Sequence, residues 1–343
     1  MSEAATIYDV AARAGVSIST VSLALNQPTR VSPRTLERVL EAAHRLNFRP
    51  KSEAVSRARA GFGRIGVLSP FTSYASFHER LNGILERLGE VGQGLELVVF
   101  DHESVDGTAS AFAGSLPLSE RLDGLILMGV PLSRETFARA QARKFPVVMV
   151  DVGEPRVAAP TVTTNDWLGG RIAAEHLLES EPATFVYIGI PQVSSDYIFQ
   201  SQNRQRGFAE TLSEHGRELL DAHVGLTVHT VAAATETADE LLGRVEFPVG
   251  VFCFSDEIAA GVVQAARGRG LRLPHDVAVV GFDDSAIAQA VDITSVHQPL
   301  RESGRLAVDL VLAQIRGSES MIEDRPLHLT LTVRGSTMPR AGN

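Results

Sequence analysis

A single cysteine among 343 residues leaves the chain without any possible internal disulfide. Cys253 stands between apolar neighbours in "VGVFCFSDE" and reads as a small buried hydrophobe in a reducing compartment. Long hydrophobic runs are missing too: no stretch approaches the roughly 20 apolar residues that a membrane span needs. The opening "MSEAATIYDV" has neither the basic stretch nor the apolar run of a secretory leader, so a cytoplasmic chain with no membrane partner is expected. Motifs for chemistry are equally scarce. There is no Walker-type phosphate loop, no nucleophile elbow and no His/Cys cluster among the ten histidines, so catalysis, a metal and a cofactor are not expected. "GFGRIG" resembles half of a dinucleotide fingerprint, yet it precedes a strand instead of following one. Asp283 and Asp284 are adjacent at a strand end and point in different directions, which makes them a poor pair of glycosidase carboxylates.

What is present is enough for a large or divided core: 44% of residues are hydrophobic and 21% are charged, a balance that excludes a disordered chain. The net charge of -9 is unevenly placed. Residues 1 to 64 carry ten basic and five acidic side chains, so this head is +5 and the rest of the chain is -14. A basic head on an acidic body suits a module that releases counterions from a polyanion while the body is repelled by it.

Three short helical patterns fill the head. Thr6 offers a cap to the first, with Asp9 as its capping-box acid, and Gly15 stops it. Ser17 caps a second, in "GVSISTVSLALN", where Val21 and Leu25 share the inward phase. Ser32 and Pro33 open a third, with Leu36, Val39, Leu40, Ala43 and Leu46 as its inward stripe. Two helices around a Gly-containing turn, braced by a third, form a helix-turn-helix. Pro50 ends it, and "KSEAVSRARAGFG", residues 51–63, reads as a basic linker. From Arg64 the period changes. Apolar strand-like runs ("RIGVLS", "LELVVFD", "LDGLILMG", "PVVMVD", "FVYIGI", "VGVFCFS", "VAVVGFD") alternate with helical stretches at 77–91, 167–179, 202–214, 256–269 and 300–315. That alternation predicts α/β lobes, parallel sheets with helices on both faces, and the length of residues 64–343 predicts two of them. The chain is expected to pass between them at 155–166 and to return near "TSVHQP" at 294.

Ten fragments in order, among them "TIYDVAARAGVSISTVSLALN", "VSPRTLERVLEAAHRLNFRP", "FPVVMVD", "NRQRGF", "FSDEIAAG", "VAVVGFDD", "HQP" and "VRGST", resemble the lactose repressor (LacI/GalR) family of bacterial transcription regulators. The resemblance implies a head (1–50), a hinge (51–63) and a two-lobed core like that of periplasmic sugar-binding proteins (64–343). It places Ile18, Ser19 and Leu23 at base edges in the major groove. Ile18 and Leu23 can meet thymine methyls, and Ser19 can donate or accept, so discrimination rests on methyl contacts more than on an Arg–guanine pair. Tyr8, Ser17, Thr20, Ser22, Asn26 and Arg30 are placed to contact phosphates and fix register. In the hinge the family pattern has Ala then Leu three residues on; here Ala54 is followed by Arg57, and a guanidinium in the minor groove bends DNA less than an apolar wedge.

For the core, the resemblance puts Asp151, Arg204 and Asp283 in a ligand cleft, with Arg204 opening its helix. Phe71, Tyr74, Phe77, Thr164, Asn165, Ser195 and Ser255 are further lining candidates, while Asp256 is expected to cap the helix that follows it. Two carboxylates and a guanidinium suit a ligand with several hydroxyls, a sugar or sugar derivative. The reading is a homodimeric repressor of a pseudo-palindromic duplex operator, modulated by a sugar effector. The alternatives, a cytosolic sugar-binding protein or a sugar-processing enzyme, fit the basic head and the missing catalytic constellation less well.

Overall fold

The structure is a computed structural model, and it describes residues 5–26, 30–46, 48, 63–70, 74–92, 94–101, 112–116, 122–152, 157–191, 200–317 and 327–337. The head contains α1 (Ile7–Ala14), α2 (Ile18–Asn26) and α3 (Pro33–Arg45). Local signals account for each boundary. The Asp9 carboxylate accepts from the Thr6 amide at 2.7 Å while the Thr6 hydroxyl accepts from the Asp9 amide at 3.4 Å, so two orphan donors of α1 are satisfied. Gly15 closes α1 in the left-handed region at φ 62°, where a side chain would be strained. A Cβ there would also sit 2.9 Å from the guanidinium of Arg38, which reaches across from α3 to the carbonyls of Ala14 and Gly15. Ser17 accepts from the Thr20 amide at 3.1 Å and starts α2. Val10, Ala14, Val21, Leu25, Leu36, Val39 and Leu40 then converge in one small core.

The chain divides into two compact units, residues 1–162 with 301–325, and residues 163–300 with 326–343. The first holds β1 (Gly63–Ser69), α4 (Ala75–Val91), β2 (Leu95–Asp101), β3 (Gly124–Met128), α5 (Arg134–Ala142), β4 (Val147–Val150) and β5 (Thr161–Val162). These strands form one parallel sheet in the order β2-β1-β3-β4-β5. The second unit holds α6 (Asp166–Leu178), β6 (Thr184–Gly189), α7 (Gln200–Glu214), β7 (Val224–Leu226), α8 (Val231–Leu242), β8 (Val249–Cys253), α9 (Asp256–Gly268), β9 (Val277–Asp283), α10 (Ala286–Val291) and β10 (Thr294–His297). After it, α11 (Leu300–Ile315) returns to the first unit from Arg301 onward, and β11 (Thr330–Thr332) belongs to the second.

The second sheet runs β11-β10-β9-β8-β6-β7, parallel except for the antiparallel pair β10–β11. Its central strands are buried on both faces: Phe252, Val280 and Phe282 enter a cluster with Ala173, Leu177 and Phe208, while Val249, Val251 and Val279 are equally buried outside it. The second passage lies at 300/301, directly after the "TSVHQP" stretch, and a third one, before Leu327, was not anticipated. β11 is only three residues long, too short to show alternation in the sequence.

Among the described residues, each unit contains a very close helix pair. In the first, a Cβ on Gly83 of α4 would lie 2.0 Å from the Arg301 carbonyl oxygen, and one on Gly304 of α11 would lie 2.0 Å from the Arg80 carbonyl oxygen. In the second, Gly207 of α7 faces the Trp167 carbonyl at 1.9 Å and Gly170 of α6 faces the Arg204 carbonyl at 2.0 Å by the same measure. Only glycine permits either approach.

Candidate nucleic-acid interface and effector site

On α2 the inward phase is filled by Val21, Ala24 and Leu25, and what remains outside is a short apolar and hydroxylic surface. Ile18 is 42% exposed, Ser17 and Ser19 are exposed, and Thr20, Ser22 and Leu23 are half-buried. Tyr8 of α1 is 67% exposed, and Arg30 stands exposed after α2. The Ser17 hydroxyl lies 2.8 Å from both the Ser19 and the Thr20 hydroxyls, so capping and the position of Ser19 are linked. An exposed isoleucine beside hydroxyls at a helix start can take methyl contacts and polar edges together. Asn26 is the last residue of α2, and its side chain, like Ala54, Arg57, Phe71 and Ser195, lies outside the described residues.

In the first unit, Asp151 follows β4 at φ 54° and its amide donates to the Val162 carbonyl at 3.0 Å. Its carboxylate meets the guanidinium of Arg80 on α4 at 2.9 Å. Arg80 is 2% exposed and lies over the Phe77 ring, 5.4 Å from its centroid. Phe77 belongs to the interior: its ring fills the space beside Gly129, where a Cβ would come within 2.6 Å of it. Tyr74 begins α4 and sets its ring edge-on to Phe77 at 5.8 Å.

In the second unit, Arg204 does not open its helix. The described part of α7 begins at Gln200, so Arg204 lies beyond a first turn in which the Ser201 carbonyl accepts from the Tyr187 hydroxyl at 2.7 Å, and it is 3% exposed. Its Nε donates to Asp166 at 2.8 Å, its Nη1 to the Phe254 carbonyl at 2.6 Å, and it lies 3.5 Å from the centroid of Phe282. Asp283 ends β9 at φ 105° and accepts from Gln298 Nε2 at 2.6 Å; the Gln298 Oε1 accepts in turn from Thr164 at 3.1 Å. Asn165 caps α6 by accepting from the Leu168 amide at 3.0 Å.

The cap of α9 is Ser255 instead of Asp256. Ser255 accepts from the Ile258 amide at 3.4 Å and lies 2.8 Å from His229 Nε2. Asp256, one residue later, turns away from the helix end to accept from the Ser285 amide at 2.7 Å and the Ser295 hydroxyl at 2.6 Å. Burial, then the charge of Asp283, pushes the Asp256 carboxyl up to about 8. At Asp284 burial acts upward as well, but Arg334 at 2.6 Å and Thr332 at 2.9 Å outweigh it and hold that carboxyl below its ordinary value.

The sequence reading named Asp151, Arg204 and Asp283 but missed their partners Arg80, Asp166 and Gln298. One signal was available: arginine stands three residues before a glycine on a helix at both 80–83 and 204–207.

Residues 6–51 match the pattern of bacterial regulatory proteins of the lacI family, and residues 174–337 match the periplasmic binding protein-like domain. The head is therefore a lacI-family domain. The HTH-type transcriptional regulator DegA of Bacillus subtilis (strain 168) is 28% identical to this chain over 97% of its length and 98% of the relative. Among solved structures, a complex of the transcriptional regulator CelR with cellobiose is 26% identical with a TM-score of 0.67, covering 97% of this chain and 99% of that one. The lac repressor dimer bound to operator shares the fold with a TM-score of 0.70 at 24% identity, covering 98% of this chain and 100% of that one. The chain is accordingly a DNA-binding transcriptional regulator and not an enzyme. No helix among the described residues is long and apolar enough to cross a membrane.

Proposed function

We propose that the chain is a cytoplasmic, homodimeric repressor that reads a pseudo-palindromic operator, and that a sugar or sugar derivative held at the strand ends of its core tunes operator affinity. The head is residues 1–50, the hinge 51–63 and the effector and dimerisation core 64–343. The observation that carries the DNA part is α2: with Val21 and Leu25 buried, the exposed Ile18 and the half-buried Leu23 have no role in the head's core, and a groove is the surface that would cover them. A two-fold dimer follows from the size of the head, since one three-helix module makes too few contacts alone. That the lac repressor structure is a dimer on operator supports this part of the reading. The bound cellobiose of CelR supports the sugar, together with the ordered donors and acceptors around Asp151, Arg204 and Asp283.

Two experiments test the reading. Leu23→Arg should change which duplex is preferred, because a guanidinium can pair with guanine where the leucine can only touch methyls. Selection from random duplexes checks this, and an unchanged preference would remove α2 from the major groove. Asp283→Ala should weaken the effector response by roughly one to two decades in midpoint, the loss of a charge-assisted hydrogen bond. Titration of sugars against a fluorescent operator complex measures it, and an unaltered midpoint would place the effector elsewhere.

A further inference from the structure

The first unit holds a small cavity at the other end of its sheet from Asp151. Leu40 and His44 of α3, Arg139 and Arg143 at the close of α5, and Phe145 and Val147 are among the residues that line it, and most of the lining is apolar. Val147 opens β4 while Asp151 follows its last residue, so the two places belong to opposite ends of one strand. Arg139 is poorly served there. Its Nη1 is buried without a hydrogen-bond partner, and the exposed Glu135 carboxylate, one turn earlier, stands off at 3.9 Å. A buried guanidinium nitrogen without an acceptor is costly and rare, and an acceptor from outside the chain would satisfy it. His44 faces the same space. Burial first, then the charges of Arg143, Arg139 and Arg45, hold its imidazole below its ordinary value. Arg45 is paired with Glu41 of its own helix, and Lys144 follows Arg143 directly. No carboxylate lines the cavity among the described residues; residues 102–111 and 117–121, on either side of the lining residues Ala113 and Gly114 in the chain, lie outside them.

We propose that this cavity is a second ligand site, separate from the strand-end groups, and that it takes a short-chain monocarboxylate. The carboxylate accepts from Arg139 and from His44, and the alkyl end lies against Leu40, Phe145 and Val147. A mainly apolar pocket with a few convergent polar groups is the usual form of a small-molecule site. Charge-assisted bonds from a guanidinium and an imidazolium to one carboxylate are the strong kind. Size narrows the class. The cavity measures about 40 Å³, well short of the about 150 Å³ that takes a benzene ring, so an aromatic acid or a sugar is excluded and an acid of two or three carbons is admitted. Inorganic phosphate is also small, but it needs donors on all sides, and this lining would leave most of its oxygens unpaired. The carbonyl ends of α3 and α5 oppose an anion with partial charges of only about half a unit each, less than the two guanidiniums supply. Because α3 belongs to the head and α5 to the core, an occupied site holds the two together.

The test is a calorimetric and thermal-shift titration of the full chain with propionate, its neutral counterpart propionamide, and inorganic phosphate, at an ionic strength held constant with chloride. Propionate should give a saturable heat and raise the melting temperature, and propionamide and phosphate should each bind about tenfold or more weakly. Propionate affinity should rise severalfold from about pH 8 to about pH 6, because His44 takes up a proton beside the bound carboxylate. His44→Gln should flatten that pH dependence. Arg139→Met should weaken propionate about tenfold or more and Arg139→Lys should recover part of the loss, a rescue that a merely space-filling arginine would not show. Melts without ligand show whether each variant is folded, and if Arg139→Met is not, the His44→Gln profile decides. Propionamide binding as well as propionate would make the cavity a plain apolar gap and overturn the proposal. Phosphate binding more tightly than propionate would overturn the ligand class. No binding of propionate, or binding that neither Arg139→Met nor His44→Gln alters, would overturn the site itself.

Discussion

Gly207→Ala should lower the melting temperature of the second unit by about 6 to 12 °C, whereas Gly268→Ala should leave it unchanged or raise it slightly. The two glycines are both helical, and they differ in what an added methyl would meet. At Gly207 the new carbon would sit 1.9 Å from the Trp167 carbonyl oxygen and 2.8 Å from its carbonyl carbon, both backbone atoms that cannot swing aside. α6 and α7 would have to separate by roughly 1 Å or more. That parts the reciprocal contact of Gly170 with the Arg204 carbonyl and loosens the cluster of Ala173, Leu177, Phe208 and Phe252. Overpacking of this kind costs about 3 kcal/mol, and a unit of this size shifts by about 2 to 4 °C for each kcal/mol. At Gly268 nothing lies within 4 Å, and alanine is the better helix former by up to about 1 kcal/mol. Circular dichroism melts of both variants measure the contrast. A Gly207→Ala protein melting with the wild type would show that the two helices do not approach this closely in solution. Because Arg204 rides on the same helix, the variant should also weaken any sugar response.

The head was legible almost residue by residue because its determinants are local. The Thr6–Asp9 box, the left-handed Gly15, the Ser17 and Ser32 caps and the stripe of α3 act within a turn of the residues that display them. The central strands of the core were legible for a related reason: a strand buried on both faces is apolar throughout, and "VGVFC" and "VAVVGF" are. The strand-end groups of each unit were legible only in half. Asp151 and Asp283 announce themselves by closing apolar runs, but Arg80 and Asp166 sit in ordinary helical sequence and acquire meaning only when the fold brings them to Asp151 and Arg204. Asp256 misled for the opposite reason. An acid after serine at a helix start has a local explanation, and tertiary partners from the α10 and β10 regions, Ser285 and Ser295, took its side chain instead.

That displacement of Asp256 from the helix end has a measurable consequence. Its carboxyl is pushed from an ordinary value of 3.8 up to about 8, first by burial and then by the neighbouring charge of Asp283. The folded chain therefore holds a proton that the unfolded chain releases near pH 4. The stability tied to that proton is fully present below pH 4 and is lost as pH rises through about 8. Within that window the loss approaches about 1.4 kcal/mol for each pH unit. Asp256→Asn keeps an acceptor for the Ser285 amide or the Ser295 hydroxyl and has no proton to lose. Urea unfolding of both proteins from pH 5 to pH 8 should show the wild type losing about 3 kcal/mol or more relative to the variant across that range. Asp283→Asn should pull the window of loss to lower pH, since it removes the second cause of the shift while leaving burial in place. Parallel pH profiles for wild type and Asp256→Asn would mean that the buried carboxylate stays ionised, with Ser285 and Ser295 donors enough to hold its charge.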